Sequence, residues 1–101
     1  MRVGYNMVTY RTHITIVGQI LDSTTDEIDE KDGANITHLI RKANISHGRL
    51  SKILNNLVSQ GLLEQIDSER SCRYKISGSG KEFLLAYKTF RNFSEDFGLT
   101  I

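Results

Sequence analysis

The sequence predicts a mainly helical α+β domain: helices packed around one small β-hairpin, with an extra helix at the C-terminal end. Three observations carry that expectation. Two amphipathic helical segments follow one another across the turn Ala43-Asn44-Ile45-Ser46. Two runs of alternating apolar and polar residues come directly after them, on either side of Asp67-Ser68-Glu69-Arg70-Ser71. Beyond Ser77-Gly78-Ser79-Gly80 an aromatic-rich stretch returns to helical spacing. With 101 residues and 39% hydrophobic content, the chain has the length of one domain and enough apolar residues for a small core. We divide it into residues 1–76, the helix-and-hairpin unit, and 77–101, the final helix and tail.

Met1 to Val8 shows no pattern. From about Thr9 a first helix is expected, because Ile14, Val17, Ile20 and Leu21 stand three or four apart. The β-branched run Ile14-Thr15-Ile16-Val17 also suits a strand. Segment length and the need to roof the following helices favour the helix. Arg11 at its start, with Tyr10, Thr12 and His13, is polar enough to meet phosphate. Asp22 to Asp32 is too charged and too poor in apolar residues to pack, so an exposed loop is expected. Its carboxylates lack the glycine and terminal glutamate positions of an EF-hand loop. Gly33 to Ile36 suits a very short strand beside the hairpin, with Thr37 helping to cap the next helix.

In that next helix Ile36, Leu39, Ile40 and Ala43 share one face. Ser46 then caps a longer helix, in which Leu50, Ile53, Leu54, Leu57 and Val58 make the apolar side. Gly61 ends it by tolerating positive φ. Two helices joined this way form a helix-turn-helix, whose second member normally enters a DNA major groove. Its solvent side carries Gly48, Lys52, Asn55, Asn56 and Ser59, flanked by Arg49 and Ser51, with Ser46 and His47 at the start. No acidic residue falls between Ile36 and Leu63. Arginine suits guanine, asparagine suits adenine, and lysine or serine holds phosphate. An ordinary solvated helix face is also polar, but such faces usually include carboxylates.

Leu62, Leu63 and Ile66 alternate loosely, and Cys72, Tyr74 and Ile76 alternate cleanly with Arg73 and Lys75. A hairpin here, with Arg70 near its tip and Arg73 and Lys75 facing outward, completes a winged helix-turn-helix. The wing would lie along the phosphate backbone or in the adjacent minor groove. Charge supports the same placement. Seven cations stand against three carboxylates from Arg41 to Lys75, and one lysine against six carboxylates from Asp22 to Asp32, within a net charge of +1. Cys72 cannot pair within the chain; a buried structural thiol is expected there, with redox sensing the lesser alternative.

In the last third, Phe83, Tyr87, Phe90 and Phe97 follow a three-four rhythm, with Leu84 alongside and Phe93 close by. That much aromatic surface exceeds what a unit of this size hides alone, so the seam is expected to pair with a second copy. Ser77-Gly78-Ser79-Gly80 before it suits a flexible bend.

The runs YRTHITIVGQIL, ITHLIRKANISHGRLSKILNNLVSQGLLE and YKISGSGKEFLLAYKTF together resemble the archaeal ArnR-type winged helix domain over Tyr10 to about Phe93. The resemblance implies a winged helix whose final helix pairs with its symmetry mate, in a group that includes dimeric chromatin-associated DNA binders. Here Ser77-Gly78-Ser79-Gly80 replaces the usual Thr-Glu-Lys-Gly turn, and His47-Gly48 replaces a large residue and lysine.

The sequence thus points to a dimeric DNA-binding regulator or architectural protein, cytoplasmic and nucleoid-associated, with double-stranded DNA and a second copy of itself as partners. The alternative is a winged helix used as a protein–protein interaction module. No cofactor, small-molecule ligand or membrane segment is expected. His13, His38 and His47 lack metal-ligand spacing and no phosphate loop or activated nucleophile can be assembled, so an enzyme is not expected.

Overall fold

The structure, a computed structural model, describes residues 12–25, 33–67 and 72–99. In chain order the elements are α1 (His13–Ser23), β1 (Ala34–Asn35), α2 (Ile36–Ala43), α3 (His47–Ser59), β2 (Leu63–Asp67), β3 (Cys72–Ile76) and α4 (Gly78–Asp96). The strands form one antiparallel sheet in the order β1-β3-β2, so the hairpin's second strand is central. The expected α+β winged helix-turn-helix is therefore present, and the short strand foreseen at Gly33–Ile36 is the sheet's third member.

The β-branched run is helical because its period matches the core. Ile16, Val17, Ile20 and Leu21 are all buried, and burial of that stripe outweighs a weak local strand preference. The helix begins later than expected. Thr12 is its N-cap, accepting the Thr15 N–H at 3.2 Å. Arg11 and Tyr10 lie outside the described residues, as does the acidic stretch 26–32. The expected exposed loop does not begin at Asp22, however. Asp22 and Ser23 are the last residues of α1, and Thr24 is fully buried, its hydroxyl donating to the Leu21 carbonyl at 2.6 Å. A threonine whose hydroxyl satisfies a helix-end carbonyl can be buried where a bare hydroxyl cannot.

The start of α2 also differs from the expectation. Asn35, not Thr37, is the N-cap, its side-chain oxygen accepting from the His38 N–H at 2.9 Å. Asparagine reaches the first-turn N–H from an extended backbone that β1 already fixes.

Ser77-Gly78-Ser79-Gly80 is not the flexible bend expected: Ser77 is the N-cap of α4 and Gly78, Ser79 and Gly80 open its first turn. Ser77 caps the helix by accepting the Gly80 N–H at 2.9 Å, while its own hydroxyl donates to the Gly61 carbonyl at 2.6 Å. A Cβ on Gly80 would collide with the Leu62 carbonyl oxygen and press the Ile76 side chain. Glycine here permits a close approach that ties the α3–β2 turn to the last helix. Gly18 plays the same part between α1 and α4, where the Tyr87 ring lies directly over it.

One core results. Leu39 and Ala43 from α2, Leu50, Ile53, Leu54 and Leu57 from α3, and Leu84 and Tyr87 from α4 meet the buried stripe of α1. Leu63, Tyr74 and Ile76 close it from the sheet. Each fully buried aliphatic side chain contributes about 1.5–3 kcal/mol.

Gly80→Ala tests the close approach. The obstructing atom belongs to backbone, so the variant should lose about 1–3 kcal/mol of stability in urea unfolding. Gly78→Ala, whose added methyl meets no described residue, should lose none.

Candidate nucleic-acid interface

The turn before α3 sets the angle of the exposed face. Asn44 takes a left-handed conformation, φ 55°, and its N–H returns to the Ile40 carbonyl at 2.8 Å. Asparagine tolerates that geometry better than most residues. Ser46 then caps α3, its side chain accepting the Arg49 N–H and its carbonyl the Leu50 N–H.

With Leu50, Ile53, Leu54 and Leu57 fixed inward, the opposite side of α3 is fully determined by helical geometry. Ser46, His47, Gly48, Arg49, Lys52, Asn55, Asn56 and Ser59 are exposed, and Ser51 is half-buried at the edge. Among the described residues neither Arg49 nor Lys52 has a carboxylate partner. The ridge therefore carries free cations and amides without competing acids.

The wing gives a more qualified surface. Arg70 lies outside the described residues. Arg73 is half-buried, and its Nη1 donates to the Gly33 carbonyl at 2.9 Å, pinning the approach to β1. Lys75 is half-buried opposite Glu64 in the register. Because β3 is the middle strand, its outward cations have neighbours on both sides, which an isolated hairpin would not supply.

On the hairpin's other face Gln65, Asp67, Cys72 and Tyr74 stand together. The Gln65 amide donates to the Asp67 carboxylate at 3.1 Å, and that bond holds Asp67 below its usual pKa. Burial pushes the Cys72 thiol up. Burial also pushes Tyr74 up to about 12, with Cys72 adding to it. Cys72 is half-buried, not fully buried as expected, and its raised pKa leaves the thiol poorly activated.

The aromatic seam divides. Leu84 and Tyr87, expected to face a second copy, are buried in the chain's own core, and Phe83 is half-buried against it. The physical reason is Gly18, which lets α4 lie close enough to α1 to hide that side. Phe90, Phe93 and Phe97 remain exposed, joined by Leu85 and Leu99, which the sequence reading missed. Leu85 stands eight residues before Phe93, so helical spacing alone contained that signal. Phe93 and Phe97 pack at 5.0 Å between centroids with their rings tilted by 54°, and Arg91 lies 5.6 Å from the centre of the Tyr87 ring. Beside them an open groove runs along Glu82, Leu85, Ala86, Thr89, Phe90 and Phe93.

Among the described residues no three His, Cys, Asp or Glu side chains gather as metal ligands, and no helix is long and apolar enough to cross a membrane.

Known sequences and structures agree with this geometry. A family model described as winged helix-turn-helix matches residues 10–95. No curated protein sequence matches the chain. The crystal structure of Sso10a-2, a DNA-binding protein from Sulfolobus solfataricus, is similar at a TM-score of 0.75 and 24% identity, over 86% of this chain and 85% of that one. MepR, a transcription regulator of the Staphylococcus aureus multidrug efflux pump MepA, gives 0.68 and 18%, over 81% and 60%. The type III plasmid segregation protein TubR gives 0.60 and 20%, over 79% and 89%.

The Cys72 shift has a testable sign. Its raised folded-state pKa means the neutral thiol is favoured by folding, so that stabilisation is complete at low pH and lost as pH climbs through the thiol range. Alkylation at pH 8.5 should be slower for the native protein than for the same protein in urea. Equal rates would mean that burial does not protect the thiol.

Proposed function

The chain belongs to the winged helix-turn-helix family, and from that membership we propose that it binds duplex DNA as a transcriptional regulator or architectural protein. In this reading α3 enters the major groove and presents Arg49, Lys52, Asn55 and Asn56 to base edges and phosphates. His47, Ser46 and Ser51 contact the backbone, and Arg11, Arg70, Arg73 and Lys75 extend the phosphate contacts beyond that helix. The observation that carries the proposal is the ridge of α3: exposed, cationic, rich in amides, and without an acid from Ile36 to Leu63. That Sso10a-2 is a DNA-binding protein and MepR a transcription regulator supports the same class of partner.

We further propose a homodimer joined through the C-terminal helix, with residues 77–101 serving assembly and 1–76 serving recognition. Phe90, Phe93 and Phe97, 56–68% exposed, are too costly a set to leave in water on one face. Two paired copies would bring two recognition helices to one palindromic site. We also propose, on the sequence resemblance, that the chain is of the archaeal ArnR type, and that as a DNA binder it acts at the nucleoid. The winged helix-turn-helix family is not a catalytic one, and we assign no enzymatic role or cofactor.

Gel-shift titration on random duplex DNA at several salt concentrations tests the first part. Affinity should fall linearly on a log-log plot against salt, and Lys52→Glu should weaken binding at least about tenfold by removing one phosphate contact and adding repulsion. A variant that binds as tightly as the wild type would reject the surface assignment. Dimerisation has a separate readout. The wild type should sediment at twice the chain mass at micromolar concentration, and Phe93→Asp at the mass of one chain. A wild-type monomer removes the pairing and leaves the DNA contact to be judged by the gel shift.

A further inference from the structure

Leu85, Ala86, Phe90 and Phe93 wall the open groove along α4, with Thr89 among them and Glu82 at one end. Helical geometry puts the carboxylate on that face independently. Glu82 and Phe93 are eleven residues apart, close to three full turns, so both side chains leave α4 on the same side. Glu82 is exposed, and among the described residues no cation pairs with it. The other charged groups bordering this face on α4 are Lys81 and Asp96. Both α1 and β3 pack on the far side of the helix, where Tyr87 lies over Gly18 and Gly80 meets Ile76. Of their charged and titratable residues, Asp22 pairs with Lys88, Arg73 bonds the Gly33 carbonyl, and His13 lines a separate groove with Phe83. Lys75 stands opposite Glu64, and Cys72 and Tyr74 stand opposite Asp67 and Gln65. None of these lines the groove at Glu82.

From this placement we infer that Glu82 makes the pairing of two copies respond to pH, opposing association while it is charged and permitting it once it is protonated. The inference rests on the homodimer reading and adds to it the residue that regulates the pairing. Phe90 and Phe93 can be covered only by bringing the partner over the same groove, and that takes the Glu82 carboxylate out of water. A carboxylate so placed favours its neutral form. Two-fold pairing repeats the effect, because each copy contributes its own Glu82 to the shared surface. The pair therefore takes up protons that the separate chains do not, and by linkage it strengthens as pH falls.

Sedimentation equilibrium of the full chain at pH 7.5 and pH 5.5, at one ionic strength, tests this. The dimer dissociation constant of the wild type should fall about tenfold or more between the two, the scale of one proton taken up per pH unit. Glu82→Gln keeps the size of the side chain and removes its charge. At pH 7.5 it should pair about tenfold more tightly than the wild type, and its pairing should change little at pH 5.5. The histidines titrate over the same range, so the loss of the response in Glu82→Gln is what assigns it to this residue. Glu95→Gln, on the other side of α4, should keep the wild-type response. Glu82→Gln pairing no more tightly than the wild type at pH 7.5, or keeping the wild-type response, overturns the inference while leaving the dimer intact. Wild type and variant that both stay single at both pH values overturn the pairing as well.

Discussion

Everything on this surface depends on how one helix is held from beneath. Leu50, Ile53, Leu54 and Leu57 anchor α3 in the same core that α1, α2, the sheet and α4 share. With 3.6 residues per turn, fixing those four side chains inward fixes which residues point outward, with no further freedom of rotation. The backbone of the polar ridge is therefore held in place because its apolar back is buried, and the directions in which its side chains leave the helix are set in advance. That preorganisation lowers the ordering entropy lost on binding.

The supporting contacts explain how so short a chain achieves it. Two glycines allow close approaches: Gly18 beneath the Tyr87 ring and Gly80 against the Leu62 carbonyl. Ser77 adds a hydroxyl that is at once the cap of α4 and a donor to the Gly61 carbonyl, where α3 has just ended. The end of α3 and the start of the last helix are thus locked to each other. By contrast, the Lys88–Asp22 pair between α4 and α1, at 2.9 Å with both side chains about half exposed, adds little, because water screens it.

The helix-turn-helix and wing were legible because their signals were local and redundant. Ser46 at a cap, Gly61 at a positive φ and the alternation of Cys72, Tyr74 and Ile76 each depend on a few adjacent residues. What escaped the sequence was set by distant neighbours. Gly78-Ser79-Gly80 looks like a hinge until Leu62, far off in sequence, is seen to need the space. Leu84 and Tyr87 look like Phe90 on a helical wheel, and only the position of α1 assigns them to the inside. That Arg73 gives one of its guanidinium N–H groups to the Gly33 carbonyl shows only once β1 is in place. On α3 no such uncertainty arose, since the exposed set there is the complement of one unbroken apolar stripe.

A net charge of +1 is no obstacle to a polyanionic partner once distance is considered. At physiological salt the Debye length is about 8 Å, while a helix of thirteen residues extends about 20 Å, so charges on separate elements scarcely feel one another through water. A phosphate against Lys52 responds to what lies within that radius, and along α3 nothing there is acidic. Counterion release likewise depends on cations in contact, and carboxylates elsewhere do not subtract from it. Near-neutral overall charge instead weakens long-range attraction to any polyanion. In the proposed reading, affinity for a polyanion therefore depends on docked geometry more than on bulk charge, which puts the weight of recognition on the shape of the α3 surface.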